Sequence, residues 1–344
     1  MILGVLFRRL PIALGFIAAL AAPAQAQSVE DFYRGKTVSI ILGIQPGGGY
    51  DLNARLVARH LTNHIPGNPN IVVQYMGGAN SVPAANHVYN VSPKDGTVIW
   101  AGARLAPYEP LLGNANAKFD VTNLRWLGST ASDHGVVIAW HTAPHQTAAD
   151  LFQRELLTGA TQVTGDTYLY PNALNKLLGT KFKMVSGYPS QAPIALAMER
   201  GEVEGSGNWS WSSLEVSYQH WLKEKKIRVL MQLGLDRHPD LPDVPLVMDY
   251  AKTQEQRDIL AILMGMKKFG YPFFIPPGVP KDRADALDLA FQKMLKDPAY
   301  LAEAKQQNRD KGMATGAEMT EVIARAYALP PEVIQRAREI ANPQ

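Results

Sequence analysis

Residues 37–58 read TVSIILGIQPGGGYDLNARLVA, and this stretch predicts a strand, a glycine-rich loop and the start of a helix. The apolar run 37–44 is typical of a buried strand, and Asp51 stands where an N-cap residue would begin an apolar helical period. A loop of this kind turns several backbone N–H groups and the positive end of a helix toward one point. The segment 45–51 therefore predicts an anion-binding site at the end of a buried strand.

Short β-rich runs, among them 160–164 and 202–206, alternate with amphipathic helical stretches as far as residue 234, and helices dominate the rest. This alternation predicts an α/β fold with mostly parallel sheets, whose ligands bind beyond the carboxyl ends of the strands. The strand-like run 270–275 is predicted to return to the first sheet, which makes the first domain discontinuous. The predicted division is a signal peptide at 1–26, lobe 1 at 27–135 plus 236–344, and lobe 2 at 136–235.

The first 26 residues have the pattern of a cleavable secretory signal. Arg8 and Arg9 precede the apolar run 10–20, and Ala24–Gln25–Ala26 matches the small-x-small cleavage pattern. An N-terminal membrane anchor is the alternative, but the apolar run is short for a bilayer span and Pro23 follows it. Because the chain has no cysteine, lipid attachment after the signal is excluded. The sequence thus predicts export to a periplasm as a soluble protein without a lipid anchor.

Composition excludes several function classes. The lack of cysteine rules out disulfides, thiol catalysis and cysteine-based metal sites. Removal of Arg8 and Arg9 with the signal lowers the formal net charge from +3 to +1, which gives no support for nucleic-acid or membrane-surface binding. His60 and His64 are spaced as helical metal ligands can be, but no acidic residue completes a recognisable motif, so a polar helix face is predicted. Neither a metal nor a cofactor is expected.

Two more segments have the same order of strand, glycine-containing loop and helix start as the first. The segment 76–81 follows an apolar strand, and the segment 165–171 follows a short β-rich run. Glycines let a ligand approach the backbone closely, and Asn80, Ser81 and Thr167 add side-chain donors. One such junction is most often ordinary helix capping, but three in one chain favour a binding site. Four or five charge-assisted contacts of about 1.5–3 kcal/mol each, less ordering costs, suffice for micromolar affinity without covalent chemistry.

The segment 45–55, QPGGGYDLNAR, resembles the first signature of the tripartite tricarboxylate transporter receptors, the TctC/Bug family. The block 64–81 is similar to the next block of that family, and the turn 92–97 stands where the family carries Pro-x-Asp-Gly. The segments 178–183 and 201–205 also fit, so the resemblance covers essentially all of the mature chain. It implies a periplasmic-binding-protein type II fold, with two doubly wound α/β lobes around a central cleft.

The resemblance also implies a function. Members of that family capture a small organic acid, such as a di- or tricarboxylate, an amino acid or an aromatic carboxylate, by lobe closure. They pass it to a membrane transporter of one large and one small subunit. The expectation is a monomer without a catalytic site. The alternatives are a receptor subunit that presents its ligand to a membrane kinase and a secreted hydrolase, although local motifs supply no Ser–His–Asp set.

Carried over residue by residue, the resemblance places ligand contacts in three loops. They are Gln45, Pro46, Gly47, Gly48, Tyr50 and Asp51 in the first loop, Gly78, Ala79, Asn80 and Ser81 in the second, and Asp166, Thr167 and Tyr168 in the opposite lobe. Asp166 departs from the family pattern. A carboxylate at this position would repel a bound carboxylate. It can instead cap the helix or accept a hydrogen bond from a ligand amine or hydroxyl.

Three single residues leave alternatives open. Arg104 follows a predicted strand and is either a bidentate partner for a second carboxylate or a surface arginine. Asp133 lies near a predicted crossing between the lobes and either touches the ligand, latches the lobes or is solvated. Trp209 either stacks on an aromatic ligand or belongs to the core, as aromatic residues beside strand ends more often do.

Overall fold

The computed structural model describes residues 27–47, 49–132, 134–163, 165–307 and 312–341. The predicted signal peptide, Gly48 and Asp133 lie outside the described residues. Within these ranges the chain forms two α/β lobes, the first built on a six-stranded sheet and the second on a five-stranded sheet. Each sheet carries helices that bury its apolar residues, as the alternation of strand and helix patterns predicts.

The strands are β1 (Thr37–Leu42), β2 (Asn70–Tyr75), β3 (Val98–Ala101), β4 (Arg125–Ser129), β5 (Gly135–Trp140), β6 (Leu156–Gly159), β7 (Phe182–Val185), β8 (Gly205–Ser210), β9 (Ile227–Leu233), β10 (Pro272–Ile275) and β11 (Ala314–Thr315). The first α-helices are α1 (Val29–Tyr33), α2 (Gly49–Leu61), α3 (Val82–Asn90), α4 (Asp150–Gln153), α5 (Asp166–Leu178), α6 (Gln191–Glu199) and α7 (Trp211–Val216). The remaining α-helices are α8 (Gln219–Lys223), α9 (Gln254–Lys268), α10 (Lys281–Met294), α11 (Pro298–Gln306), α12 (Gly316–Tyr327) and α13 (Pro331–Ala341).

The first sheet has the strand order β11-β4-β10-β3-β1-β2. Its strands β1, β2 and β3 are parallel, whereas β10 runs antiparallel between β3 and β4. The prediction that the late strand returns to the first sheet is confirmed. The prediction of mostly parallel pairing is wrong, because β10 and β11 enter this sheet in the opposite direction, from the C-terminal part of the chain, and not through a βαβ crossover.

The second sheet has the order β7-β6-β8-β5-β9, with β5 antiparallel to both of its neighbours. Gly135 at the start of β5 pairs with Leu233 at the end of β9. The chain therefore enters and leaves this sheet at adjacent positions, by the segments that precede β5 and follow β9. The lobe boundaries 27–135 plus 236–344 and 136–235 stay a prediction.

Two predicted strands of the second lobe are displaced. The strand predicted at 160–164 forms instead at Leu156–Gly159, and the one predicted at 202–206 forms at Gly205–Ser210. The run 147–157 has an amphipathic helical pattern, which hid the start of β6. Pairing of β6 with β7 and β8 decides its ends, and such long-range pairing leaves little trace in the local sequence.

One apolar core continues from the first lobe into the second. It includes Trp100 and Phe274 of the first sheet, whose ring centroids lie 4.6 Å apart, together with Val137 and Leu230 of the second sheet. Helix α9 belongs to this core and packs against α12 and α13 as well as α5. No helix within the described ranges is both long and apolar enough to cross a membrane. This shared core packs α9 and both sheets together and so brings the strand ends of the two lobes close to each other.

Candidate functional site

A cavity of about 470 Å³ lies between the two lobes, beside the carboxyl ends of β3 and β8. Its wall includes Tyr50, Arg104 and Tyr271 from the first lobe and Asp166, Thr167 and Asn208 from the second. This volume falls within the range of small-molecule sites, which is roughly 300–1,000 Å³. A second cavity of about 490 Å³ lies at the two connecting segments, where His134 and Gly234 line it. The first cavity is the candidate site because strand ends and helix starts from both lobes meet there.

An ion pair crosses this cavity from one lobe to the other. The guanidinium of Arg104, which follows β3, lies 3.0 Å from the carboxylate of Asp166 at the start of α5, and each side chain is about a quarter exposed. The backbone N–H of Arg104 donates to the Tyr50 hydroxyl at 3.2 Å. Arg104 thus lies in the cleft wall, where its charge is engaged by a carboxylate of the chain itself, and its contact with a ligand carboxylate stays a prediction.

Tyr50 supplies a neutral hydroxyl at the same place. Burial raises the pKa of its phenol, and the nearby Arg104 only partly opposes that shift. The ring meets Tyr271 edge to face, with centroids 5.0 Å apart. The Tyr50 side chain is therefore fixed by packing, so that its hydroxyl accepts from Arg104 beside the cavity.

Asp51 shapes the first loop from within. Helix α2 begins at Gly49, so Asp51 is the third residue of the helix and the N-cap prediction is wrong. Its carboxylate accepts hydrogen bonds from the Gly47 N–H (2.8 Å), from Arg55 (2.8 Å) and from the Tyr75 hydroxyl (2.6 Å). Burial raises the pKa of Asp51, but these three hydrogen bonds together bring it below its ordinary value. One N–H group of the predicted anion site thus binds the chain's own carboxylate.

Replacement of Asp51 by asparagine is expected to cost about 1–3 kcal/mol of folding stability at pH 7, because three hydrogen bonds lose their charged acceptor. Since the pKa of Asp51 is lower in the folded than in the unfolded chain, ionised Asp51 stabilises the fold above about pH 4 and less as the pH falls. Urea unfolding of both proteins between pH 7 and pH 3 measures the difference. A difference in unfolding free energy between the two proteins that stays constant below pH 4 would contradict a stabilising role of ionised Asp51. Weaker acid binding by the variant is also expected, through a loosened loop.

Ser81 joins three segments of the first lobe and does not face the cavity. It is fully buried, its hydroxyl donates to the Gly43 carbonyl (2.9 Å), and it accepts from the Ala103 N–H (2.9 Å). The predicted ligand contact by the Ser81 side chain is therefore wrong, because both of its hydrogen-bonding directions are used within the protein. Its effect on the site is to fix the ends of β1 and β3 relative to the second loop.

The second loop has an uncommon backbone. Ala79, Asn80 and Ser81 follow one another with φ of 38°, 51° and 69°, in the left-handed region. Such a conformation costs roughly 1–2 kcal/mol per non-glycine residue, and asparagine tolerates it best. The Asn80 amide donates to Glu109 at 2.8 Å, which ties the turn to its own lobe. Backbone strain held in this way is characteristic of functional loops.

The two glycine loops of the first lobe lie side by side. A Cβ on Gly77 would lie 2.8 Å from the backbone nitrogen of Gln45, so these loops approach closely only because Gly77 has no side chain. The tips of both loops, 45–47 and 78–80, are exposed and do not line the cavity, whereas Tyr50, at the end of the first loop, does line it. Ligand contact by their exposed residues stays a prediction for Gln45, Pro46, Gly47, Gly78, Ala79 and Asn80.

The structure places Trp209 in the core, which makes its predicted stacking on a ligand wrong. Its side chain has no exposed surface and packs edge to face on Tyr218, 5.2 Å between centroids. The reason is that β8 extends to Ser210, so Trp209 lies within the strand and not beyond it. Tyr168 is half-buried on α5 and does not line the cavity. Thr167 does line it, and its hydroxyl accepts from the Thr161 N–H at 2.8 Å.

Sequence reasoning missed most of the polar wall of the second lobe. Asn208 on β8 and the hydroxyl residues Ser210, Ser212, Ser213 and Ser217 all line the cavity. The available signal was a run of small hydroxyl residues directly after a strand, in the segment 206–217. This signal does not distinguish a binding site from an ordinary turn, because serine-rich segments after strands are typical of both.

The two histidines with helical metal-ligand spacing bind carboxylates of a neighbouring helix. His60 Nε2, on α2, lies 2.7 Å from Glu303 of α11, and His64 Nε2, in the turn after α2, lies 2.9 Å from Asp297, the N-cap residue of α11. Within the described ranges no group of three or more His, Cys, Asp or Glu side chains is arranged to hold a metal ion. The prediction of a polar helix face therefore holds for His60 but is wrong for His64, because helix α2 ends at Leu61.

Comparison with solved structures shows which fold this is. A scan against protein-family models finds no match, and neither does a search of curated protein sequences. A TctC solute-binding protein from Polaromonas superposes with a TM-score of 0.70 at 19% identity, covering 90% of this chain and 98% of that one. MatC from Rhodopseudomonas palustris with bound malate gives 0.55 at 16% identity, covering 89% and 99%. An R. palustris protein with adipate gives 0.57 at 18% identity, covering 88% and 97%. The fold is that of these two-lobed binding proteins.

Proposed function

We propose that this protein, which has the fold of the TctC solute-binding proteins, captures a small organic acid for a tripartite tricarboxylate-type membrane transporter. The observation that carries the proposal is the inter-lobe cavity of about 470 Å³ with Arg104 in its wall. The resemblance of the segment 45–55 to the TctC/Bug signature supports it from the sequence. The malate and adipate held by two of the structural neighbours support a carboxylate as the ligand class.

Arg104 is the proposed partner of the ligand carboxylate. A guanidinium binds a carboxylate through two parallel hydrogen bonds, and such charge-assisted bonds contribute about 1.5–3 kcal/mol each. Asp166 holds this guanidinium in the structure, at 3.0 Å. A bound acid would therefore take over Arg104 from Asp166 and leave that aspartate to accept from an amine, a hydroxyl or water. Hydroxy acids and amino acids satisfy both residues at once, which places them among the proposed ligands.

Lobe closure is the proposed mechanism of capture. The cavity wall comes from both lobes, so a ligand that contacts Arg104 on one side and Asn208 on the other makes its full set of contacts only when the lobes are close together. A ligand shifts such an equilibrium only by the difference in its contacts with the two arrangements. The large and small transporter subunits would then recognise the closed form.

Isothermal titration calorimetry against a panel of acids tests the proposal directly. The panel contains malate, adipate, glutamate and benzoate, with adipamide as the uncharged control for adipate. At least one acid is expected to bind in the micromolar range, and adipamide is expected not to bind. If no organic acid or amino acid binds, the proposed function is wrong. Genes for a large and a small transporter subunit beside this gene would support the transport role over a sensing role.

A further inference from the structure

Asn208 is turned toward the cavity by an irregularity in its strand. Val136 pairs with Trp209 and Ile138 with Ser206, so Gly207 and Asn208 together stand opposite a single residue of β5. Such a bulge interrupts the alternation of side chains and redirects one of them. The Ser206 hydroxyl holds the bulge, because it accepts from the Asn208 N–H (3.4 Å) and donates to the Asn208 carbonyl (3.2 Å).

A buried lysine, Lys267, binds the amide oxygen of the Asn208 side chain. Lys267 Nζ donates to Asn208 Oδ1 at 2.8 Å, and the two residues are only 2% and 3% exposed. The ammonium also lies 4.3 Å from the centroid of the Tyr170 ring. Gly135 makes room for the pair, since a Cβ there would lie 2.4 Å from Asn208 Oδ1 and 2.6 Å from Lys267 Nζ. Lysine is almost never buried so deeply unless it is paired, as Lys267 is with the Asn208 oxygen.

The lysine determines which way the Asn208 amide points. An ammonium carries donors only, so the oxygen of the amide must face Lys267 and the NH₂ group must face away from it. Within the described residues the Asn208 NH₂ group makes no hydrogen bond, although Asn208 is almost fully buried and lines the cavity. Lys267 itself lines the other cavity, at the connecting segments, and not the candidate site. Asn208, which binds Lys267 and lines the candidate site, connects the two.

We propose that Lys267 is a positioning residue that fixes the Asn208 amide so that its NH₂ group donates to an oxygen of the bound acid. This inference rests on the proposed function and adds a donor in the second lobe opposite Arg104. The positive charge also polarises the amide, which strengthens the hydrogen bond that its NH₂ group donates.

The orientation of the amide is tested without any ligand. Protein labelled with ¹⁵N-asparagine gives an Asn208 NH₂ resonance, assigned by its loss in Asn208→Ser. In Lys267→Met the side chain keeps its length but loses the donors, so the amide no longer has one enforced orientation. We expect the Asn208 NH₂ resonances to shift or split in this variant. Unchanged resonances overturn the inference.

Acid binding is tested by a double-mutant cycle with malate, adipate, glutamate and benzoate as probes. Lys267→Met and Asn208→Ser are each expected to weaken the tightest of these acids by about 10- to 100-fold. The double variant is expected to bind no more weakly than Asn208→Ser alone, because Lys267 acts through Asn208. Additive losses would show that Lys267 acts elsewhere. Lys268→Met is the matched control, since this lysine pairs with Asp236 at 3.9 Å and does not line the candidate site.

A second variant covers the case in which Lys267→Met does not fold. Asn208→Asp keeps the partner of Lys267 and replaces the cavity donor by an acceptor. Folded protein with an affinity at least about tenfold lower is expected, and undiminished affinity overturns the inference. If wild-type protein binds none of the four acids, the proposed function fails, whereas the resonance comparison still decides the role of Lys267.

Discussion

Replacement of Arg104 by glutamine is expected to weaken acid binding by about 2–4 kcal/mol, or roughly 30- to 700-fold in Kd. Arg104 lies in the cleft wall, about a quarter exposed, and already binds a carboxylate at 3.0 Å. Glutamine keeps a polar side chain of similar reach but has no charge and no fork of parallel donors. Calorimetry with the tightest of malate, adipate, glutamate and benzoate measures the loss.

Arg125→Gln is the matched control for this replacement. Arg125 is also partly exposed and pairs with Asp285 (2.8 Å) and Asp288 (3.1 Å), but it does not line the cavity. Its replacement is expected to leave Kd within about twofold, as for surface changes away from a site. Equal losses in both variants, or a loss below about threefold for Arg104→Gln, would contradict the proposed role of Arg104.

Replacement of the partner aspartate completes the same experiment and separates the ligand classes. Asp166→Asn removes the carboxylate that competes for Arg104, so acids with neither an amine nor a hydroxyl, such as adipate and benzoate, are expected to bind several-fold more tightly. An amino acid is expected to bind more weakly, because Asp166 would be the acceptor for its ammonium. If Asp166→Asn binds every acid with the affinity of the wild-type protein, then breaking the Arg104–Asp166 ion pair does not contribute to the free energy of binding.

Gly43→Ala is expected to lower folding stability by about 2–4 kcal/mol, the upper range for overpacking a rigid site. A Cβ at Gly43 would lie 2.2 Å from the Ser81 Cβ and 2.8 Å from its Cα, far inside van der Waals contact. The neighbouring backbone cannot yield easily, because the Gly43 N–H donates to the Ala101 carbonyl at 2.8 Å. The urea midpoint of unfolding measures the change, and acid binding is expected to weaken with it.

Two further variants test whether the loss of stability in Gly43→Ala comes from the contact between the new Cβ and Ser81. Gly35→Ala makes the same substitution where nothing lies within 4 Å, and its positive φ of 70° alone is expected to cost about 1 kcal/mol. Ser81→Gly in the Gly43→Ala background removes the clashing Cβ and relieves a left-handed residue, so part of the lost stability should return. A Gly43→Ala variant as stable as Gly35→Ala, or no recovery in the double variant, would show that the junction is not rigid.

Local sequence signals explain why the first junction could be predicted. Strand β1, the glycine loop and helix α2 follow each other within 25 residues, from Thr37 to Leu61, and an apolar run, glycines and an apolar helical period mark them in turn. The role of Asp51 was predicted only in part. Asp51 does stand at the start of helix α2, but its carboxylate accepts hydrogen bonds from Gly47 and from Tyr75 of the next strand and does not have the predicted N-cap role.

Packing between distant segments explains the errors. Trp209 was assigned to a strand end, whereas the bulge opposite Val137 and the apolar layer around Tyr218 keep it inside the core. The same bulge turns Asn208 toward the cavity, and no local pattern marks a bulge in advance. The antiparallel entry of β10 likewise follows from the way in which the C-terminal part returns to the first sheet.

The α/β class, the glycine junctions and the late strand of the first sheet follow from the linear pattern, because apolar periodicity and turn chemistry act between near neighbours in the chain. Which polar residues meet depends on the packing of distant segments. Arg104 faces Asp166 across the cleft, and Lys267 binds Asn208, which stands 59 positions earlier. These pairs arise where the two lobes and helix α9 pack together, and the energy of such contacts depends on distances that a linear pattern does not contain.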